Sequence, residues 1–288
     1  MFANTGPFAT ADGVVEIAQV AEDVGFESIW TVEHVIWPAQ YDSAYPYAPD
    51  GKMPGDHSTP IPDPLIWLSF VAARTSRIKL ATGILILPER NPVVLAKSTA
   101  TLDSLSQGRL LLGIGVGWLE EEFDALGIPF AQRGQRTDEY VGAMRALWNA
   151  DAADYDGTFT SFRGVSSNPK PPNGSVPIVV GGHTKAAARR AGRLGQGFFP
   201  GKGSVEELTE LFDVVRQTAA DHGRDPEAIE MTAPHPGLFG SDPVGAAQEL
   251  ASIGVTRSIV PAFLIARGSP ADGAAKLAET ILQPCADI

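Results

Sequence analysis

TATLDSLSQGRLLLGIG, residues 99–115, reads as a helical run that stops at Gly108 and a short β-rich run that starts two residues later. Glycine ends helices cheaply, because it takes the left-handed conformation without a Cβ clash. The same junction recurs as AQVAEDVGFESIWT (18–31) around Gly25, AARRAGRLGQGFFP (187–200) around Gly195 and AAQELASIGVTRSIVP (246–261) around Gly254. A helix that stops at glycine and re-enters a strand is an αβ unit. Four of them in one chain predict alternating βα architecture with parallel strands.

Working outward, strands are expected near Phe2–Asn4, Ser28–Val32, Ile78–Leu87, Leu110–Ile114, Ile178–Val180, Gly197–Phe199, Ile229–Thr232 and Ser258–Val260. Helices are expected near Val14–Val24, Pro64–Ala73, Pro92–Ser104, Thr137–Asn149, Thr184–Leu194, Val205–His222, Pro243–Ile253 and Asp272–Ile281. Eight strands each followed by a helix predict a (β/α)8 TIM barrel, an α/β fold spanning 1–288 as one domain. The rival is a doubly wound open sheet. Its usual G-x-G-x-x-G after the first strand is replaced here by Asn4-Thr5-Gly6-Pro7, so the barrel is preferred. Two segments exceed ordinary loop length, Glu33–Asp63 and Ala150–Val176, and such loops are usually lids or inserted hairpins.

Composition narrows the function. The chain carries 34 acidic and 22 basic side chains, a net charge of −12, which disfavours a nucleic-acid partner. It has no apolar run long enough to span a membrane, and MFANTGPFATADG is unlike a secretory signal. The single cysteine, Cys285, permits no internal disulfide and suggests a reducing compartment. A cytoplasmic protein is therefore expected.

In a barrel of this kind chemistry sits at the carboxyl ends of the strands. Those ends supply Glu33 and His34; Pro88-Glu89-Arg90-Asn91; Gly113 through Trp118; Gly181-Gly182-His183-Thr184; Pro200-Gly201-Lys202-Gly203; and Pro234-His235-Pro236. His34 is the strongest candidate, since it follows a strand directly and precedes a long loop. Gly181–Thr184 opens a helix, where exposed amides and the helix dipole suit a phosphate, though the run also reads as a plain tight turn. Lys202, Arg133 and Arg136 add local positive charge. The glycines of G-I-G-V-G-W, Gly115 and Gly117 among them, are read as letting a flat ligand lie close. No zinc-type spacing occurs, so no metal is expected.

The segment TGILILPERNPVVLAKSTATLDSLSQGRLLLGIGVGWLEEEFDALGIPFAQRGQRTDEY resembles the bacterial luciferase-like superfamily, and within it actinobacterial oxidoreductases that use the deazaflavin coenzyme F420. ANTGPF, IWTVEHVIWP and PIVVGGHTKAAARRAGRLGQGFFPG extend the resemblance to about residue 265. The resemblance implies a (β/α)8 barrel with the cofactor at its rim. It implies a non-prolyl cis peptide at Gly83-Ile84 behind the cofactor ring, and His34 at the redox centre beside Glu33. The cofactor phosphate would lie on Gly181, Gly182, His183 and Thr184, with Asn4 facing the same mouth. Where the sugar-phosphate dehydrogenase branch has a glutamate after the strand-four G-x-G, this chain has Trp118, an indole that walls a pocket and transfers no proton. Relatives often pair, so a homodimer is compatible with the resemblance.

The leading expectation is an oxidoreductase moving a hydride between F420 and a small organic substrate, with His34 handling a proton, Trp118 and His235 on the substrate side, and Trp30 and Trp37 as further wall candidates. The alternatives are an FMN-dependent monooxygenase on the same fold, a non-catalytic cofactor-binding protein and, more distantly, a glycosidase using Glu33 and Glu89.

Overall fold

The computed structural model describes residues 1, 3–265 and 269–288. Its strands are β1 (Ser28–Thr31), β2 (Lys79–Thr82), β3 (Leu85–Ile86), β4 (Leu110–Gly115), β5 (Ala153–Asp156), β6 (Ser161–Val165), β7 (Ile178–Gly181), β8 (Gly197–Phe199), β9 (Glu230–Ala233) and β10 (Val255–Ser258). Its α-helices are α1 (Ala11–Asp23), α2 (Pro64–Arg74), α3 (Pro92–Leu105), α4 (Glu120–Ala125), α5 (Arg133–Asn149), α6 (Lys185–Leu194), α7 (Val205–Asp221), α8 (Pro243–Ser252) and α9 (Pro270–Leu277). One parallel sheet runs β1-β2-β4-β7-β8-β9-β10, with β3 on β4, while β5 and β6 form a separate antiparallel hairpin.

The strands face two ways. Trp30, Ala81, Leu111, Val179 and Phe199, one from each of β1, β2, β4, β7 and β8, meet Ile259 just past β10 in their own buried cluster. Ile29, Leu80, Leu112, Val180 and Phe198, one step along the same strands, join the larger cluster formed with the helices. Alternate residues of a strand point to opposite faces, so the first set fills the hollow of a curled sheet and the second seats the outer helices. Sheet and helices are thus held by burial worth about 1.5–3 kcal/mol per large apolar side chain.

Three of the four glycine junctions turn as expected, with φ of +95° at Gly25, +81° at Gly108 and +91° at Gly254. Gly195 differs: its φ is −82°, and glycine is needed there because a Cβ would lie 2.8 Å from the Gly197 carbonyl oxygen.

Several expectations are corrected. Among the described residues the backbone forms seven full parallel strands and the two-residue β3, a curled sheet rather than eight full staves. Of the first expected strand, Phe2 lies outside the described residues. Its neighbours bond to the β1 edge, Trp30 N–H donating to Met1 O at 2.6 Å and Ala3 N–H to Trp30 O at 2.9 Å, without forming a strand. The expected continuous strand 78–87 is broken into β2 and β3 at Gly83-Ile84, which is cis. The last strand starts at Val255, directly after the Gly254 turn, instead of Ser258. Helix α4 was not expected, and α5 begins at Arg133 rather than Thr137. The 150–176 segment holds the β5–β6 hairpin, in line with its length. No helix among the described residues is long and apolar enough to cross a membrane.

Candidate active site

Past the end of β1, the Asn4 side chain clamps the backbone of Val32 from both sides. Its Nδ2 donates to Val32 O at 2.9 Å, and its Oδ1 accepts from Val32 N–H at 2.7 Å. Asn4 thus fixes the entry to Glu33 and His34.

Glu33 and His34 then part. Glu33 is buried, accepts from Ile86 N–H and pairs with Arg90, whose guanidinium also donates to Asp63 at 2.8 Å. Asp63 caps α2 by accepting from the amides of Leu65 and Ile66. Arg90 therefore ties the first residue of the 33–63 loop to its last. Burial pushes the Glu33 carboxyl above its usual range, with Arg90 pulling the other way. Glu33, expected beside His34 in catalysis, is in the structure the anchor of the loop.

His34 turns to Glu122 of α4. Its Nδ1 lies 2.7 Å from Glu122 Oε2, while Glu122 Oε1 accepts from the amides of Val35 and Ile36, the latter at 3.1 Å. Glu122 is fully buried. Three donors converging on one carboxyl suit a carboxylate, and this pattern assigns the imidazole proton to Nδ1. Nε2 then keeps a lone pair, and no described residue hydrogen-bonds to it. A histidine oriented from behind by a carboxylate is the usual arrangement of a proton-transfer group.

Above the ring stands an aromatic wall. Trp118 meets His34 edge-on with centroids 5.7 Å apart, and Tyr45 and Tyr41 meet Trp118 at 5.2 and 5.8 Å. Tyr45 continues to Tyr47 at 5.5 Å, and Tyr47 to His183 at 5.1 Å. The 33–63 loop thus lays a strap of tyrosines across the rim from the β1 end to the β7 end. Neighbouring Glu121 holds it as well, accepting from the amides of Asp42 and Ser43 at 2.6 and 3.1 Å. Lys202 Nζ donates to Pro46 O at the far end. Burial, then Tyr45, pushes the Tyr47 phenol to about 12. Trp30 lies inside the sheet's hollow, 5.6 Å from Phe199, and not on the wall. Trp37 packs within the loop, 3.5 Å from where a Cβ of Gly55 would stand.

The glycines at the β4 and β7 ends accommodate the protein itself. A Cβ on Gly115 would lie 1.8 Å from Ile84 Cδ1, and one on Gly181 2.5 Å from Ile84 Cγ2. On Gly117, at φ +80°, it would lie 2.6 Å from Phe123. The reading that Gly115 and Gly117 leave room for a ligand is corrected: Ile84 of the cis bulge and Phe123 of α4 fill that room. Gly83 and Ile84 are consequently wedged between β4 and β7 at the floor of the mouth.

At the β7 end, Gly182 (φ +121°) leads to His183 and to Thr184, which caps α6 by accepting from Ala187 N–H at 3.2 Å. The first amides of α6 have no partner within the helix. His183 Nδ1 is buried without a partner, and burial, then Lys202, lowers the ring's proton affinity. An orphaned ring nitrogen beside open helix amides fits a phosphate arm. The other suspected cations are engaged: Arg133 donates to Gly117 O at 3.2 Å and lies over Phe130, and Arg136 donates to Pro129 O at 2.9 Å. His235 is not drawn into the group. It caps a short turn by accepting from Gly237 N–H, and its Nε2 faces Glu249 at 3.2 Å.

Sequence reasoning missed Glu122 and the tyrosines. Glu122 was hidden in WLEEEFDALG, where only α4 distinguishes one glutamate that points inward from its neighbours. The tyrosines lie in an irregular loop with no periodicity to read. Y-x-x-x-Y-x-Y at 41–47, in a loop following a rim histidine, was the available signal.

The sequence pattern of the luciferase-like monooxygenase family matches residues 2–280, and the chain belongs to that family. It is 40% identical over 164 residues to an uncharacterized protein of Mycobacterium tuberculosis, a match covering 57% of this chain and 58% of that one. It is 36% identical over 225 residues to an F420-dependent glucose-6-phosphate dehydrogenase of Nocardia farcinica, covering 75% of this chain and 62% of the relative. These matches span about three fifths of each relative's length. The coenzyme F420-dependent tetrahydromethanopterin reductase of Methanopyrus kandleri shares the fold, with a TM-score of 0.75 at 16% identity over 98% of this chain and 97% of that one.

Proposed function

We propose that this chain is an F420-dependent oxidoreductase that moves a hydride between the deazaflavin and a small, uncharged organic substrate, an alcohol or its carbonyl counterpart. The observation that carries the reading is the His34–Glu122 pair set under Trp118, beside the Ile84 bulge, in a chain 36% identical to an F420-dependent dehydrogenase.

Gly181, Gly182, His183, Thr184 and the first amides of α6 would hold the phosphate, while Gly83 and Ile84 back the ring. When bound, the deazaflavin supplies hydride acceptance or donation at carbon. His34 Nε2 takes the hydroxyl proton of an alcohol, or returns it to a carbonyl oxygen in the reverse direction. Glu122 keeps Nδ1–H in place, so one tautomer faces the substrate throughout. Trp118 and the tyrosine strap wall the substrate side and exclude water.

The runner-up is an FMN-dependent monooxygenase, favoured by the family's own description. Binding of F420 and of FMN, measured side by side by fluorescence, separates the two. Tight F420 binding with weak FMN binding is the expected result, with His34→Ala keeping the binding and losing turnover by about 10²-fold or more. Preference for FMN, with oxygen-dependent turnover, would sink the F420 reading. Binding without any turnover would leave a cofactor-binding protein.

A further inference from the structure

Glu89 closes the single 3-10 turn Leu87–Glu89 that follows β3, at the base of the site. It is 7% exposed, and neither carboxyl oxygen has a hydrogen-bond partner among the described residues. The groups bearing on it are two further carboxyls, Glu122 and Glu33, and one cation, Arg90. The Nη2 of that arginine is already shared between Glu33 and Asp63, and its Nε, buried and unpartnered, makes no hydrogen bond to Glu89. Helix α5 packs on the same turn, but the arginines of its first turn lie over Phe130 and Phe159. Beyond Glu122 lies His34.

A buried carboxylate with no donor, set beside two others, is far costlier than the same group protonated. Native proteins seldom leave such a group unpartnered without a use for it. We propose that Glu89 is a positioning residue of the site, a carboxylic acid kept neutral so that Glu122 alone, as the carboxylate, grips His34. Burial and then Glu122 and Glu33 push the Glu89 carboxyl to about 9, with Arg90 opposing. Below that pH the neutral Glu89 faces two negative charges, Glu33 and Glu122, and the one guanidinium is divided between Glu33 and Asp63. Above it a third negative charge faces Glu122, which is repelled from its place, and His34 Nδ1–H loses its acceptor. The ring is then no longer held in one tautomer, and proton transfer at Nε2 fails. The role in turnover rests on the oxidoreductase reading; the grip itself does not.

The test is therefore made first on the protein without cofactor. The Nδ1–H signal of His34 is followed by nitrogen-15 NMR from neutral pH to well above 9. In the wild type the signal is expected to disappear with a midpoint near 9. In Glu89→Gln, which stays neutral at every pH, it persists. Glu89→Leu, an apolar replacement suited to a dry pocket, persists likewise and serves if the glutamine variant folds poorly. The same midpoint then appears as an alkaline limb in the wild-type kcat profile and is absent from both variants. A wild-type signal that survives past the midpoint, or one lost at the same pH in either variant, overturns the proposal. The expected titration without turnover on either cofactor would uphold the grip and defeat the oxidoreductase reading.

Discussion

At the scale of single residues, the site depends on one buried glutamate doing three jobs. Glu122 accepts from His34 and from two backbone amides, so no smaller side chain replaces it. Glu122→Leu strands all three donors and is expected to destabilise the protein by about 3 kcal/mol, read from urea unfolding. Glu122→Gln keeps the shape but presents an amide where His34 needs an acceptor. Turnover should fall by about 10²-fold with binding of the cofactor retained, and equal loss of both would argue for a merely structural role. Glu89 makes the opposite contribution to stability. Its carboxyl is raised from 4.5 to about 9 on folding, so the folded chain keeps a proton that the unfolded chain releases. Below 4.5 the group is neutral in both states; as pH climbs from there to 9, stability is lost, and above 9 the loss is complete. Glu89→Gln should therefore gain on the wild type as pH rises through this window, by up to about tenfold in the folding equilibrium per pH unit. Paired melts at acid, neutral and mildly alkaline pH check it, and a constant difference would show that folding leaves the Glu89 carboxyl at its ordinary value.

At the scale of elements, α4 is the clamp of the site. Two consecutive glutamates of its first turn hold the 33–63 loop, Glu122 at residues 34–36 and Glu121 at Asp42 and Ser43. The β4 and β7 ends are shaped by Ile84, whose side chain stands where Cβ atoms at Gly115 and Gly181 would be. Gly115→Ala should cost about 2–3 kcal/mol by overpacking. Joined to Ile84→Ala it should cost less than the two single changes summed, by about 1 kcal/mol, in a double-mutant cycle of unfolding free energies. Strict additivity would mean the two positions do not touch. This contact explains why the sequence was legible here only in part. Glycine after a helical run is a local signal, and it marked the junctions at Gly25, Gly108 and Gly254. Glycine at 115 or 117 answers to a partner on another element, Ile84 or Phe123, so its spacing looked like room for a ligand. Glu33 and His34 are adjacent in the chain and read alike, but Arg90 and Glu122 arrive from separate elements and draw them into separate tasks. His34, the β7–α6 turn and the two long loops were legible because each lies at a strand end in the chain itself. Glu122 was not, because helical phase decides which of three successive glutamates faces inward.

At the scale of the whole molecule, the two ends of the parallel path are joined by charge. Arg257 of β10 donates to both oxygens of Glu27, just before β1, at 2.9 and 3.0 Å. It also reaches Glu230 of β9 at 2.9 Å, and Lys79 of β2 pairs with Glu27 at 2.8 Å. One guanidinium and one ammonium, meeting on Glu27, thus gather β9, β10, β1 and β2 at the end of the sheet away from the candidate site. Burial opposes ionisation of Glu27, but Arg257 and Lys79 overcome it and hold the carboxyl at about 2. Its stabilising effect is therefore fully present above 4.5 and is lost as pH falls toward 2. Arg257→Met should lower the urea midpoint at neutral pH. The loss should be about 2 kcal/mol, less than for a fully buried pair because the half-exposed Glu27 is screened by solvent. As the pH is taken down through the same window, the gap between wild type and variant should narrow, since protonated Glu27 no longer pairs with the arginine and only Glu230 is left to it. A gap that stays constant into acid would show that Arg257 acts through packing along its buried stem and not through Glu27. Because the network lies away from His34, the variant should bind the proposed cofactor, F420, as the wild type does. Saturating ligand, at about a hundred times its Kd, should then add about 2.7 kcal/mol to each protein equally. A smaller gain in the variant would mean that the charge joining the sheet's ends also shapes the mouth at its opposite face.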